Sequence, residues 1–195
     1  YYCIHMFAFK KKYFLIIESI KDINLSNIKK YNKFLIIYRS KGKIENINDL
    51  LVFRKKCKLK LIDFYVANNI NLVVKLKADG IYLSSHNKSL KAIRPNRSNF
   101  RVIGSAHSIK EISFKKKQGC NYILFSKLFL VDYQKTSPYL GIVKFNKFAN
   151  FFPKRLVPLG GIKTFNLNYL KNVNCEAIAL LSEVKKKPAI LRRLF

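Results

Sequence analysis

An α/β barrel of eight strand–helix units is the fold this sequence predicts, and three observations predict it. Eight short apolar runs alternate along the chain with longer segments of helical periodicity, the pattern of a parallel sheet wrapped by helices. The last two runs are joined through Gly160-Gly161 and end at Ser182, which is how such a barrel closes and holds a phosphate after its seventh and eighth strands. The length of 195 residues, 49% of them apolar, suits a single domain over 1–195 with one core and trimmed loops. Doubly wound sheets share the alternation, but they seldom fit eight units into this length and do not favour a phosphate site after the last two strands.

Taken in order, the apolar runs predict strands at 13–17, 34–38, 61–66, 80–83, 100–106, 122–125, 156–159 and 177–181. Helical periodicity falls between them at 22–31, 46–57, 69–77, 87–94, 108–118, 141–150, 165–173 and 183–195. Ser108 with Glu111 three residues on reads as a capped helix start, and Thr164 or Asn166 is placed to cap the helix after Gly160-Gly161. Those glycines let the backbone approach an anion closely, and the amides at Leu181 and Ser182, opening the last helix, favour negative charge.

The longest apolar runs are strand-sized, such as Tyr13-Phe14-Leu15-Ile16-Ile17, so no transmembrane helix is expected. The opening residues lack both a preceding basic region and a small-residue cleavage site, and 1–12 read as an extra segment ahead of the first strand rather than a signal peptide. Cys3, Cys57, Cys120 and Cys175 are scattered without metal-ligand or disulfide spacing, which suits a reducing cytoplasm. Oligomeric state is left open.

A formal charge of +29 invites a nucleic-acid reading. Against it, the basic residues are spread along the whole chain and Lys outnumbers Arg 31 to 8. No RRM, KH, zinc-finger or helix-turn-helix pattern accompanies them. The expectation is no specific nucleic-acid partner, only a polyanion attraction that physiological salt weakens. Lys10-Lys11-Lys12, Lys115-Lys116-Lys117 and Lys185-Lys186-Lys187 are expected on solvated faces or helix ends.

An ordered set of motifs, Ala78-Asp79-Gly80-Ile81-Tyr82-Leu83, Gly104-Ser105-Ala106-His107-Ser108, Gly119-Cys120-Asn121-Tyr122-Ile123-Leu124-Phe125-Ser126, Leu140-Gly141 and Gly160-Gly161, resembles the thiamine phosphate synthase and TenI family over 34–187. The resemblance implies a (β/α)8 barrel and a role in thiamine biosynthesis. Its small-molecule partners would be a thiazole phosphate and, in the synthases, a pyrimidine pyrophosphate coupled with Mg²⁺; TenI-like members aromatise the thiazole by proton transfer.

By the same resemblance, Arg39 and Lys41 in Ile37-Tyr38-Arg39-Ser40-Lys41 match the family's pyrophosphate cations, although its Gln is Ile37 here. Both acidic metal ligands are replaced by amides, Asn68 and Asn87, which bind Mg²⁺ weakly for want of charge. Lys135 stands one step from the family's strand-six Lys, whose place is taken by Gln134. Lys127 occupies the position of a proton-moving His in TenI-like members; desolvated among Phe125, Leu128 and Phe129, a lysine has a lowered pKa suited to that work. His107 matches the Ser-x-His signature, and Ser105 is placed to touch the thiazole. The expected phosphate site is Gly160, Gly161, Leu181 and Ser182. The missing carboxylates tilt the expectation towards a TenI-like tautomerase, with the Mg²⁺-dependent synthase, a non-catalytic phosphate-ligand binder and an RNA-binding protein as alternatives.

Overall fold

The computed structural model describes residues 11–28, 32–42, 44–90, 99–132, 136, 138–152 and 156–181. Strands β1 (Lys12–Ile17), β2 (Phe34–Tyr38), β3 (Asp63–Ala67), β4 (Gly80–Leu83), β5 (Arg101–Ala106), β6 (Tyr122–Ser126), β7 (Leu156–Leu159) and β8 (Ala177–Leu180) form one sheet. Every pairing is parallel, in the order β7-β6-β5-β4-β3-β2-β1-β8. β7 lies alongside β8 across the remaining seam, so the sheet is a nearly closed (β/α)8 barrel. Helices α1 (Ile47–Leu59), α2 (Ile70–Lys75), α3 (Ile109–Lys117) and α4 (Gly141–Phe151) follow β2, β3, β5 and β6.

Alternation along each strand divides the core in two. One set of side chains fills the barrel: Phe14 and Ile16, Leu35 and Ile37, Tyr65, Tyr82, Ile103, Leu124, Val157, Ala177 and Ala179. The other faces the helices, with Leu15, Ile36, Phe64, Ile81, Val102, Ile123 and Phe125 meeting Leu50, Phe53, Cys57, Leu72, Ile112 and Phe145. Phe14 and Tyr122, on strands that are not neighbours, meet edge to face with ring centroids 5.4 Å apart. The interior is thus packed, as in barrels of this size. No helix among the described residues is long and apolar enough to cross a membrane.

Three expected helices come out differently. In place of a helix over 22–31 there are 3₁₀ turns at Ile20–Asp22 and Leu25–Asn27, with 29–31 outside the described residues. Ser19 Oγ accepts from the Lys21 N–H, and Asn24 Oδ1 from the Ser26 N–H, local bonds that compete with helical ones. Over 87–94 no helix begins by Leu90; Asn87 Oδ1 accepts from the Ser89 N–H, and 91–98 lie outside the described residues. The helix after β7 is 3₁₀, Thr164–Asn172, in a segment whose Thr and Asn residues favour turns; its N-cap is Lys163 and not Thr164 or Asn166, and Asn166, the third residue of the helix, bonds back by accepting from the Lys163 N–H. The helix expected over 183–195 lies outside the described residues. Strand three begins at Asp63, because Leu61 takes a positive φ in the turn after α1.

At the N-terminal end of the barrel, Asp79 ties β3 to α1. Its carboxylate accepts from the Phe64 N–H and from Arg54, each at 2.7 Å. Burial nonetheless pushes this carboxyl upward, against the pull of the Phe64 N–H and the Arg54 guanidinium. Replacing Asp79 by Ala leaves both donors without their acceptor, so a loss of about 1–3 kcal/mol is expected, read as a thermal midpoint lowered by roughly 2–12 °C. An unchanged midpoint in calorimetry contradicts this role.

Candidate functional site

Continuing the strand alternation past the C-terminal ends changes the character of the inward positions. Below are rings and branched aliphatics; above are Glu18, Arg39, Ser84, Ser105, His107 and Ser126, with Leu159 and Leu181 completing the circuit. This rim is where a barrel of this kind carries its chemistry.

After β1 and β2, the Glu18 carboxylate lies 2.6 Å from the Lys41 ammonium and 3.6 Å from the Arg39 guanidinium. Glu18 is held from below, since its own N–H and that of Ser19 both donate to Asp22 Oδ2. Glu45 braces the same corner, accepting from Ser19 Oγ at 2.7 Å and from the Ile20 N–H at 3.2 Å. Lys41 is largely solvated at 71% exposure and Arg39 partly so at 31%. These pairs therefore add little stability. Their effect is to gather two cations and one anion at the mouth.

Across the mouth, His107 Nδ1 and Ser126 Oγ share a hydrogen bond of 2.9 Å. The His107 N–H donates to Glu111 Oε2 at 2.8 Å, while Ser108 Oγ accepts from the Glu111 N–H, so the capped start of α3 fixes the backbone that carries the imidazole. Ser105 is buried on the same inward face of β5. Lys127 follows Ser126 and is half-buried, beside the fully buried Leu128.

Gly160 and Gly161 both adopt positive φ, +95° and +68°. Their close approach is to the loop after β6: a Cβ on Gly161 would sit 2.4 Å from the Phe129 carbonyl oxygen, and one on Gly160 would sit 3.3 Å from Lys127 Cα. The β6–β7 pairing runs on through this contact, with the Leu128 N–H donating to Leu159 O and the Phe129 N–H to Gly160 O. Asn166 closes the turn from the other side, donating to Gly161 O at 2.7 Å. Lys163 pairs with Asp132 over the same loop.

After β3 and β4 the amides lock onto each other. Asn68, at a positive φ that asparagine tolerates, accepts on Oδ1 from the Ser84 N–H at 3.0 Å and from Asn87 Nδ2 at 3.3 Å. Its own Nδ2 donates to Ser84 Oγ. Both acceptor sites of Asn68 Oδ1 are thereby taken, and Asn87 Oδ1 already holds the Ser89 N–H. Neutral, engaged oxygens do not fit a Mg²⁺ ion, which favours charged oxygen ligands. No group of three His, Cys, Asp or Glu residues suited to a metal occurs among the described residues.

Beneath this cluster lies Lys115, which the sequence placed on a solvated run and which is buried to 1% exposure. It sits three residues after the buried Ile112 on the core-facing side of α3, so helical spacing decides its burial. Its ammonium donates to Ser84 O, Asn87 O and Gln118 Oε1 at 2.7, 3.0 and 2.8 Å. Burial draws its pKa down. Lys11 likewise turns inward, donating to Leu170 O and Val173 O, whereas Lys10 and 185–187 lie outside the described residues.

Of the residues singled out in the sequence, Arg39, Lys41, Asn68, Asn87, Ser105, His107, Lys127, Gly160, Gly161 and Leu181 all gather at the C-terminal rim. Ser182 and Lys135 lie outside the described residues. Glu18, Ser126 and Lys115 were missed. Counting by twos along β1 and β6 finds the first two, and the helical spacing from Ile112 finds the third.

The family model described as thiamine monophosphate synthase matches residues 25–184. A thiamine-phosphate synthase of Prochlorococcus marinus strain AS9601 is 27% identical over 172 residues, covering 87% of this chain and 48% of its own length. One from Persephonella marina is 26% identical over 155 residues, covering 78% and 74%. The chain thus spans about half the length of the Prochlorococcus relative. Thiamine phosphate pyrophosphorylase from Pyrococcus furiosus superposes with a TM-score of 0.72 at 17% identity, covering 96% of each chain, a likeness of fold.

Glu18 competes with any anion for Arg39 and Lys41. Its replacement by Gln is expected to raise affinity for inorganic pyrophosphate about two- to tenfold at low salt, measured by titration calorimetry. Unchanged or weaker binding would show that this pair does not face the anion.

Proposed function

Because the chain belongs to the thiamine monophosphate synthase family, we propose that it binds a thiazole phosphate at the C-terminal mouth of its barrel and moves protons on that ring without a divalent metal, as TenI-like tautomerases do. The observation that carries this reading is the hydrogen bond between His107 Nδ1 and Ser126 Oγ on the inward rim. It orients an imidazole at the mouth and leaves Nε2 for a substrate.

Aromatising a thiazole tautomer removes one proton and returns one elsewhere on the same molecule, with no net redox change. His107 takes the first proton in this reading, and Lys127, next to Ser126, serves the return. The phosphate lies against the Gly160-Gly161 turn and the backbone after β8 at Leu181 and Ser182, where the architecture places phosphates. Ser105 meets the ring from the inward face of β5. The engaged, neutral oxygens of Asn68 and Asn87 support a reaction that does not depend on Mg²⁺. The buried thiols Cys57 and Cys120 suit the reducing cytoplasm.

A second reading, Mg²⁺-dependent coupling of a pyrimidine pyrophosphate to the thiazole, is favoured by Arg39 and Lys41 at the mouth and by the relatives' names. In that reaction the two cations, with Lys135, neutralise the departing pyrophosphate.

The test is a titration with hydroxyethylthiazole phosphate carboxylate, with and without Mg²⁺, using inorganic phosphate and a Gly160→Asp chain as controls. Expected are Mg²⁺-independent binding tighter than that of phosphate, its loss in the variant, and tautomerisation slowed about 10²-fold or more by His107→Asn. Mg²⁺-dependent release of pyrophosphate would establish the synthase reading instead. Binding no better than phosphate would overturn the thiazole assignment, and binding without turnover would leave a ligand-binding barrel.

A further inference from the structure

Lys115 is built into the barrel wall at a position where a charge is costly. Its side chain crosses Gly104 on β5, and the fit is exact enough that a Cβ there would lie 2.8 Å from Lys115 Cδ. The ammonium then spends its three N–H donors on three neutral oxygens, Ser84 O, Asn87 O and Gln118 Oε1. Among the described residues no carboxylate lies within ion-pair distance of it. Its charge is satisfied by dipoles and cancelled by nothing in direct contact. Burying an ammonium without a counter-ion is expensive, and a neutral side chain of the same length would avoid the cost.

The ammonium and the amide pair share their anchors. Ser84 gives its carbonyl oxygen to Lys115 and its N–H to Asn68; Asn87 gives its carbonyl oxygen to Lys115 and its Nδ2 to Asn68. Gln118 adds donors to Asn87 O and Ser89 O, clamping the same loop. The oxygens best placed to hold a cation after β4 thus already hold one, and it is covalently part of the chain.

We propose that Lys115 is the resident cation of the β4 loop, shaping it and supplying positive charge beneath the mouth, so that phosphate and pyrophosphate anions bind there without a divalent metal. This deepens the Mg²⁺-independence of the proposed function, but it needs no thiazole substrate. A metal ion at Asn68 and Asn87 would meet the ammonium's charge through Asn87, which Lys115 holds by its carbonyl oxygen, and through Ser84, which bonds to both Lys115 and Asn68. Introducing carboxylates there therefore does not by itself build a metal site; they turn towards Lys115 instead.

Two measurements test this. Calorimetric titration with inorganic pyrophosphate is expected to give wild-type affinities in Mg²⁺ and in EDTA that agree within about twofold, with a loss of about tenfold in Lys115→Met and retention in Lys115→Arg. Electron paramagnetic resonance of Mn²⁺ is expected to show the ion free with the wild type and the Asn68→Asp/Asn87→Asp chain at about millimolar concentration, and bound at least about tenfold tighter once Lys115→Met is added. Pyrophosphate binding that requires Mg²⁺, or that is absent in both buffers, overturns the proposal from the wild-type protein alone, even if the variants fail to fold. So does Mn²⁺ bound tightly by the wild type. Failure of the thiazole titration with Mg²⁺-independent pyrophosphate binding intact would reject the thiazole reading and keep this one.

Discussion

Strand alternation is the constraint from which the rest of this barrel follows. Eight short parallel strands point every second side chain into a lumen that Phe14, Tyr65, Tyr82 and their aliphatic neighbours fill. Burial raises the Tyr65 hydroxyl well above its ordinary pKa, as an interior closed to water requires. With the lumen packed, charged inward positions survive only beyond its packed layers, at the two ends: Lys12, Asp63 and Arg101 at the N-terminal end and the site residues at the C-terminal one. Glu18, Arg39, Ser105, His107 and Ser126 are therefore neighbours because of period, although they are far apart in sequence.

The rim is electrostatically ordered despite a chain that is basic throughout. On one side Glu18 holds Arg39 and Lys41 in check, and on another the capped start of α3 fixes His107 against Ser126. Between them the amide cluster rests on a buried ammonium. Most of the described lysines have no part in this: they are exposed, and physiological salt screens their influence. Position and burial, more than number, decide which cations matter.

How much of this was legible beforehand depends on the kind of signal. The strands were readable to within two residues at either end, because apolar runs bounded by polar segments leave few choices, and Ser108 with Glu111 marked a helix start that the structure keeps. Helices rich in Asn and Ser were not readable from periodicity, since side chains such as Ser19, Asn24 and Asn87 bond to nearby backbone and favour turns. The glycine pair was legible as a special turn, but its closest approach is to the loop after β6, a neighbour that local sequence does not reveal. Lys115 was hidden by its own run of lysines; only its spacing from Ile112 separates it from Lys116 and Lys117.

In the proposed function one rim holds the phosphate on one side and the proton-transferring imidazole on the other. A crystal structure of the protein soaked with the thiazole phosphate carboxylate tests it most directly. Phosphate density is expected against the Gly160-Gly161 turn and the Leu181 backbone, with the ring within hydrogen-bond reach of His107. Ligand lodged instead in the groove between α1 and the 3₁₀ turns at Ile20–Asp22 and Leu25–Asn27, or with its ring turned away from His107, would contradict it.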